Sequence, residues 1–158
     1  MFELTAIESF SAAHSLRSYQ GPCEKLHGHN FKVEATISCK KLNKLSIGMD
    51  FKEIKEILRD ILKKLDHTFL NELPYFKNIN PTSEEIAHFI YMEMKDKIDD
   101  NRQSRLLATA RGSCQDNRQS RLLATARGSC QDNCKMKCVA VWESDNSKAT
   151  YIGEKDER

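Results

Sequence analysis

The sequence lacks several features that would each indicate a particular class of protein. It has no apolar run near the roughly 18 residues that a membrane-spanning helix needs, which argues against an integral membrane protein. It has no basic N-terminal region followed by an apolar stretch and a small-residue cleavage site, so we expect no secretory signal and a cytoplasmic location. The metalloprotease HExxH, phosphate-binding GxxxxGKS/T and dinucleotide-binding GxGxxG patterns are also missing.

What is present is the composition of an ordinary globular protein. The chain has 158 residues, of which 39% are hydrophobic and 30% are charged. A chain of this length can bury roughly two thirds of its unfolded surface, so we expect one domain spanning residues 1–158. Without an export signal, its six cysteines are expected to be reduced thiols.

The chain contains a tandem repeat. Asp100 to Gln115 reads DNRQSRLLATARGSCQ, and the same sixteen residues follow as Asp116 to Gln131. Two identical copies do not fit a solenoid, whose repeats diverge and number about three or more. We interpret residues 102–133 as an insert at a surface site. Each copy could be a short helix capped by its Asp and ended by Gly112 or Gly128, or could be disordered.

The insert also accounts for the basic character of the chain. It holds six basic and two acidic residues, so the remaining 19 basic and 21 acidic residues have a formal charge of −2. The overall charge of +2 therefore does not indicate nucleic-acid binding, and we expect neither a nucleic-acid nor a membrane partner.

Outside the insert, hydrophobic periodicity predicts four strands and two helices. Phe2 to Phe10 and Phe31 to Ile37 alternate as half-buried strands do, and two more strands are predicted at Met136 to Glu143 and Lys148 to Ile152. Asp50 precedes the first helical stripe: Phe51, Ile54, Leu58, Ile61, Leu62 and Leu65. Pro81 to Glu85 opens the second stripe: Ile86, Phe89, Ile90, Met94 and Ile98.

The order ββααββ predicts an α+β domain with two helices packed on one face of an antiparallel sheet. A four-stranded sheet leaves two edges open. We therefore expect copies of the chain to assemble through those edges.

Three of the five histidines are placed to meet. His27 and His29 are separated by one residue, so in a strand their side chains leave the same face. His14 follows the first strand, and antiparallel pairing of the two strands would bring it alongside. Three imidazoles with an open fourth position describe a catalytic zinc site, although hydrogen-bonded histidines in a loop are the alternative.

Three further positions allow chemistry beside such a centre. Cys23, four residues before His27, could be a fourth ligand, an inert residue or a proton-transferring base. Asp66-His67 ends the first helix, where the histidine could interact with the helix dipole or serve as an acid/base. Glu143, which ends an apolar strand, could be a solvated charge or could accept two N–H bonds from a guanidine-like ring edge.

Together these residues resemble the 6-pyruvoyltetrahydropterin synthase and 6-carboxytetrahydropterin synthase family. The matching stretches span the chain outside the insert, in family order: Phe10 to His14, Cys23 to His29, Met49 to Phe51, Leu65 to Asn71, Asn80 to Glu84 and Trp142 to Ser144.

The resemblance implies a tunnelling fold (T-fold) whose copies form an oligomeric barrel, a trimer-based hexamer or smaller, with active sites at subunit interfaces. It further implies that His14, His27 and His29 bind Zn²⁺ and that Cys23 is the base. His67, oriented by Asp66, would be the second acid/base. The remaining implied positions, Glu143 and Thr82, would bind a pterin triphosphate substrate.

The cysteine spacing implies a product. Cys23 lies four residues before His27, as in the queuosine-pathway 6-carboxytetrahydropterin synthases, rather than at the longer spacing of the animal tetrahydrobiopterin enzymes. Glu24 completes a CExxHGH pattern that resembles members thought also to form 6-hydroxymethyldihydropterin for folate synthesis. A solvated loop carboxylate is the alternative for Glu24.

Two non-enzymatic classes remain. A zinc-stabilised binding domain would require Cys23 to close the fourth metal position. A scaffold would use the insert to display a repeated peptide. The other cysteines have no assigned role: Cys134 and Cys138 are expected to share one face of a strand, Cys39 to pack, and Cys114 and Cys130 are copied with the insert.

Overall fold

The computed structural model describes residues 1–110 and 134–153. The elements are strands β1 (Phe2–His14) and β2 (His27–Cys39), helices α1 (Phe51–Leu62) and α2 (Ser83–Ala110), and strands β3 (Cys134–Ser144) and β4 (Ser147–Ile152). Short 3-10 helices lie in the connections, at Pro22–Glu24, Leu70–Glu72 and Pro74–Phe76. The predicted order ββααββ is confirmed.

The four strands form one antiparallel sheet in the order β1-β2-β3-β4. The β1–β2 ladder runs unbroken from Phe2 opposite Cys39 to His14 opposite His27. Both strands are longer than predicted, and His14 is the last residue of β1 rather than a residue beyond it, because the ladder pairing continues to the histidines. Because side chains alternate across a strand, one face carries the buried residues, and both helices pack against the sheet there, α1 on β1 and α2 on β3 and β4. His14, His27 and His29 belong to the same alternating set as the fully buried Phe31 and Val33, so the histidines extend the core face.

Helix α1 begins where the sequence predicts. The Asp50 side chain accepts the Lys52 backbone N–H at 2.8 Å and so caps the first turn. Two members of the predicted stripe differ from expectation. Phe51 stands at the first helical position and is 49% exposed, while Leu65 is buried but lies in the turn beyond the helix end.

Helix α2 is longer than predicted. The Thr82 hydroxyl accepts the Glu85 backbone N–H at 3.4 Å at its start. Of the predicted stripe, Ile86, Ile90, Met94 and Ile98 are buried, and Phe89 is partly buried against the core. The helix continues through Asp100 to Ala110, so the prediction that Asp100 caps a separate helix is wrong. Extending an existing helix adds one hydrogen bond per residue, whereas a new helix requires an unfavourable nucleus.

Most of the repeated segment, residues 111–133, lies outside the described residues. The expectations for Gly112, Gly128, Cys114 and Cys130 lie there too. In the part of the chain that the structure describes, no helix is long and apolar enough to span a bilayer.

A bulge in β3 corrects the expectations for the cysteines. Thr36 pairs with Cys138 and Ile37 with Met136, which leaves Lys137 as an extra residue and resets the alternation. Cys134 therefore faces the core and Cys138 the opposite side, so the prediction that they share a face is wrong. Cys134 lies opposite Cys39 with Cα atoms 4.1 Å apart and forms a disulfide with it, so the expectation of reduced thiols is also wrong for this pair.

Candidate metal centre

The hairpin of β1 and β2 brings three histidines to one end of the sheet. His14 is the cross-strand partner of His27, and His29 is the partner of Ala12. The ring centroid of His14 lies 4.5 Å from that of His27 and 5.3 Å from that of His29, and the centroids of the His27 and His29 rings are 5.0 Å apart. The structure thus brings together the three imidazoles that the sequence spacing selects.

Backbone carbonyls set the tautomer of two of these rings. His14 Nδ1 lies 2.7 Å from the Pro81 carbonyl oxygen, and His27 Nδ1 lies 2.7 Å from the Lys25 carbonyl oxygen. A carbonyl oxygen only accepts, so each Nδ1 carries the proton and donates it. The lone pair of each neutral ring is then on Nε2, the arrangement that outer carbonyls impose on metal-binding histidines.

Burial keeps His14 in this neutral form. Its side chain is 2% exposed. Desolvation is the main reason that the pKa of His14 is lowered from its ordinary value, and the neighbouring His27 and His29 lower this pKa further, against the opposing effects of the Pro81 carbonyl and Glu143. The ring is therefore an available ligand at neutral pH.

All three Nε2 atoms are buried and make no hydrogen bond. One ligand atom from each histidine and one carboxylate oxygen of Glu143 lie within 4.8 Å of one another. Leaving buried acceptors unpaired costs roughly 1–3 kcal/mol each, a cost that a shared cation would offset. Three imidazole nitrogens and a carboxylate oxygen are donors that zinc accepts, so the residues present fit a zinc ion.

Glu143 lies inside this group. Its Oε1 is 3.0 Å from His29 Nε2 and 3.4 Å from His14 Nε2, and its Oε2 accepts the Ser83 hydroxyl at 3.3 Å. The sequence pattern places Glu143 at the end of a strand but does not indicate that its carboxylate reaches the histidines.

The Asp66-His67 pair is held beside β1. His67 has a φ of 55°, and its backbone N–H donates to the Ser11 carbonyl at 2.6 Å. Its Nδ1 lies 2.9 Å from Asp66 Oδ2, while Asp66 Oδ1 accepts the Ser11 N–H at 2.9 Å. The Ser11 N–H first, and then His67, hold the pKa of Asp66 below its ordinary value, so this residue is a carboxylate at neutral pH.

An open groove of about 510 Å³ joins the histidine group to this pair, because His29 and His67 both line it. Its other walls are the ends of β1 and β2 and the turn after α1: Ser11, Ala12, Ala13, Gly28, Asn30, Thr68 and Phe69. His67 is 81% exposed, so its Nε2 is accessible to a molecule in the groove.

The remaining predicted site residues are not among those that line this groove. Cys23 is a half-buried free thiol in the 3-10 helix Pro22–Glu24, and the adjacent Glu24 is exposed. Among the described residues, the group that could hold a metal ion includes Glu143 and not Cys23. Thr82 caps α2 through its hydroxyl.

Sequence reasoning missed the groups that support the histidines. Pro81 and Lys25 act through carbonyl oxygens, which every residue has, so residue type carries no signal for them. Ser83 acts through its hydroxyl on Glu143, and the sequence indicates it only as part of a helix start.

The fold and this site define a T-fold protein with a histidine-rich group of potential metal ligands at the end of its first hairpin. The chain belongs to the 6-pyruvoyl tetrahydropterin synthase family, whose sequence model matches residues 3–111. The family resemblance drawn from the sequence is thereby confirmed.

Relatives share up to about half of the aligned positions. A protein of Archaeoglobus fulgidus, named provisionally as a 6-carboxy-5,6,7,8-tetrahydropterin synthase, is 45% identical over 89 residues, covering 56% of this chain and 72% of its own. The 6-carboxy-5,6,7,8-tetrahydropterin synthase of Synechocystis is 34% identical over 93 residues, covering 56% and 70%.

Solved structures share the fold. The 6-pyruvoyl tetrahydropterin synthase of Caenorhabditis elegans superposes with a TM-score of 0.68 at 19% identity, covering 97% of this chain and 96% of its own. The Plasmodium vivax 6-pyruvoyl tetrahydropterin synthase gives a TM-score of 0.59 at 22% identity, covering 95% and 96%. The predicted T-fold is confirmed.

Proposed function

We propose that this protein is a zinc-dependent 6-carboxy-5,6,7,8-tetrahydropterin synthase, a lyase of queuosine and 7-deazapurine biosynthesis. It would convert 7,8-dihydroneopterin triphosphate to 6-carboxytetrahydropterin, acetaldehyde and triphosphate. The observation that carries the proposal is that three buried imidazole Nε2 atoms without a hydrogen bond converge at one end of the sheet. One of these histidines, His29, lines the same groove as the Asp-oriented His67. Relatives named for this activity support the choice of product.

His14, His27 and His29 would hold the zinc ion through Nε2. When bound there, zinc supplies Lewis acidity toward the vicinal hydroxyls of the substrate side chain, which acidifies the adjacent C–H bonds. The carbonyls of Pro81 and Lys25 keep two of the rings in the ligating tautomer.

Proton transfer would fall to two groups. Cys23 is proposed as the base that removes a side-chain proton, and its status as a free thiol outside the metal-binding group supports that role. His67 is proposed as the partner acid/base. Asp66 holds the proton on His67 Nδ1, so Nε2 is the atom that exchanges a proton with the substrate.

Substrate binding would involve Glu143 and Thr82. Glu143 is proposed to accept N–H bonds from the pterin ring, and Ser83 orients its carboxylate toward the site. In the free protein this carboxylate lies against His14 and His29, so binding of the ring would draw it away from the histidines. Thr82 directly follows Pro81, the residue whose carbonyl orients His14, and this adjacency supports its proposed role.

We also propose the assembly and location that the family resemblance implies. The chain would be one T-fold unit interrupted by the insert at about 102–133, and it would form a cytoplasmic homo-oligomer, a trimer-based hexamer or smaller. The two edge strands, β1 and β4, support assembly because each leaves one side of the sheet unpaired within the described chain.

A second candidate adds formation of 6-hydroxymethyldihydropterin through Glu24. Variants of the Plasmodium vivax enzyme in which a glutamate is replaced by alanine or cysteine are described as catalytic residue mutants, which favours a catalytic glutamate in that relative. Glu24 is exposed and directly follows Cys23. A Glu24→Gln variant that loses only hydroxymethylpterin formation would support this second activity, and unchanged products would exclude it.

A non-catalytic zinc domain is the candidate from another class. Glu143, rather than Cys23, is the residue whose position would close the fourth metal site in that case. A scaffold that displays the insert would likewise leave substrate unconverted, so both are tested by the same experiment.

The test incubates zinc-loaded protein with 7,8-dihydroneopterin triphosphate and identifies the products by mass spectrometry. The wild type is expected to form 6-carboxytetrahydropterin and acetaldehyde. Cys23→Ala is expected to lose this activity with zinc content unchanged, while the matched variant Cys138→Ala, on the outer sheet face, keeps it. A 6-pyruvoyl product would redirect the assignment within the family, and no turnover by folded, zinc-loaded protein would contradict catalysis.

A further inference from the structure

The carbonyl that orients His14 belongs to a loop without regular structure. Pro81 lies between the 3-10 helix Pro74–Phe76 and the start of α2, 67 residues from His14 along the chain. No strand or helix ladder fixes residues 77–82. Apart from local backbone hydrogen bonds such as that from the Thr82 N–H to the Asn80 carbonyl, the contacts that tie these residues to the end of β1 are made by side chains.

The Arg17 side chain makes three hydrogen bonds to this loop and to the 3-10 helices before it. One terminal nitrogen of its guanidinium donates to the carbonyls of Phe76 and Ile79, both at 3.0 Å, and the other donates to the Asn71 carbonyl at 3.0 Å. One side chain thus satisfies three carbonyls of residues 71–79, which have few ladder partners of their own.

Two asparagines bind the backbone of the residues that follow β1. Asn80 Oδ1 accepts the Arg17 N–H at 2.8 Å, and Asn80 Nδ2 donates to the Arg17 carbonyl at 3.0 Å. The buried Asn71 makes the same pair of bonds with Ser15, at 2.9 and 2.8 Å. Each asparagine thus binds one residue at both its N–H and its C=O, as a paired strand does.

These contacts join the two sides of the His14–Pro81 hydrogen bond. Ser15 directly follows His14, Arg17 lies three residues after it, and Asn80 directly precedes Pro81. The contacts therefore resist movement of the loop away from the end of β1, close to the His14–Pro81 bond. We propose that Arg17 and Asn80 are positioning residues that hold the Pro81 carbonyl against His14 Nδ1, and thereby keep His14 Nε2 aimed at the metal. This inference rests on the proposed metal centre.

The chemical consequence concerns metal affinity. Without an acceptor at Nδ1, the His14 ring can rotate or exchange tautomers, and the Nε2 lone pair is then not held toward its partners. Loss of such an outer partner typically weakens metal binding about 10–100-fold.

The test compares Arg17→Lys and Asn80→Ala with the wild type and with Arg59→Lys. A lysine presents one nitrogen and cannot reproduce the three contacts that two guanidinium nitrogens make. Arg59 in α1, which pairs with Glu8 in β1, is the matched arginine outside the loop. Zinc affinity is measured by competition with a chromophoric chelator on folded protein, and the d–d absorption of the Co²⁺ form reports ligand geometry.

Arg17→Lys and Asn80→Ala are expected to bind zinc about 10–100-fold more weakly and to alter the Co²⁺ spectrum, while Arg59→Lys matches the wild type. Equal affinities and spectra, with only a lower melting temperature, would overturn the proposal because they would show a purely structural role. If one variant fails to fold, the other decides. A wild type that binds no zinc would instead overturn the proposed metal centre itself.

Discussion

His14 and His27 are direct cross-strand partners at the end of the β1–β2 ladder, with ring centroids 4.5 Å apart. Each donates its Nδ1–H to a backbone carbonyl outside the ladder, Pro81 for His14 and Lys25 for His27. The hairpin therefore sets the spacing of the rings, and the flanking loops set their tautomers. Both conditions must hold for the two Nε2 atoms to share one ion.

Replacing one of these histidines is expected to remove metal binding. His27→Ala deletes one of three imidazoles, so zinc affinity should fall by more than the roughly 10–100-fold typical of an outer partner. The measurement is zinc content after dialysis against a weak chelator, with product formation followed in parallel. His88→Ala is the control, because His88 contacts Tyr75 and Tyr151 away from the site. Full zinc content in His27→Ala would show that the histidine group is not the metal site.

Replacing His67 by asparagine is expected to impair proton transfer and preserve the fold. The φ of 55° at His67 lies in the left-handed region, which asparagine tolerates better than most residues. Loss of a general acid/base typically lowers the rate about 10²–10⁴-fold. Steady-state kcat would be measured on protein with wild-type zinc content and circular dichroism. An unchanged kcat would exclude His67 as an acid/base.

Asp66 is expected to contribute to stability in a pH-dependent way. Its pKa is lowered in the folded protein, first by the Ser11 N–H and then by His67. The stabilisation is therefore present above the ordinary aspartate pKa of about 3.9 and is lost as the pH falls through the lower folded value. Asp66→Asn should be less stable than the wild type at pH 7, and the two should converge at low pH.

Urea denaturation midpoints measured between neutral and acidic pH would follow this convergence. Asp145→Asn, in the exposed β3–β4 turn, is the control for the loss of one acidic residue. A difference between Asp66→Asn and the wild type that stays constant across the acidic range would contradict the assignment.

Reduction of the disulfide is expected to destabilise the protein. Cys39 and Cys134 are buried and 95 residues apart in sequence, so the bond restricts a large loop of the unfolded chain. Its loss typically costs about 2–4 kcal/mol. The double variant Cys39→Ala/Cys134→Ala should lose this much unfolding free energy. Dithiothreitol should lower the unfolding free energy of the wild type by the same amount and should not change that of the double variant. If dithiothreitol has no effect on the wild type, the pair is present as thiols. Cys138→Ala serves as the control for cysteine replacement.

Much of the fold follows from adjacent residues. The period-2 alternation of Phe31 to Ile37 and the helical stripe after Asp50 arise from local geometry, because side chains alternate across a strand and recur about every 3.6 residues in a helix. The wrong facing predicted for the β3 cysteines comes from Lys137, where the bulge shifts the alternation by one residue. Local periodicity does not show a bulge, since the extra residue is specified by the pairing with β2.

The identity of the site residues could be predicted from the sequence because their chemistry depends on residue type and spacing. His27 and His29 share a face by strand geometry alone, and the stretches around Cys23, Asp66 and Glu143 carry the family resemblance. The groups that surround these residues in the fold could not be predicted in this way. Pro81 reaches His14 across 67 residues, and Ser83 reaches Glu143 across 60. Backbone carbonyls and one hydroxyl give no distinctive sequence pattern.

The sequence by itself thus determined the order of the elements, the sheet's buried face and the set of chemically competent side chains, since each depends on contacts between near neighbours. Only the tertiary structure decided which carbonyls orient the imidazoles, that Glu143 rather than Cys23 joins the histidines, that Arg17 ties the Pro81 loop to β1, and that Cys39 bonds to Cys134. Apart from the local contact between Lys25 and His27, these relationships join segments distant in sequence. Pairing of the strands and packing of the loops against the sheet bring them within hydrogen-bonding or bonding distance.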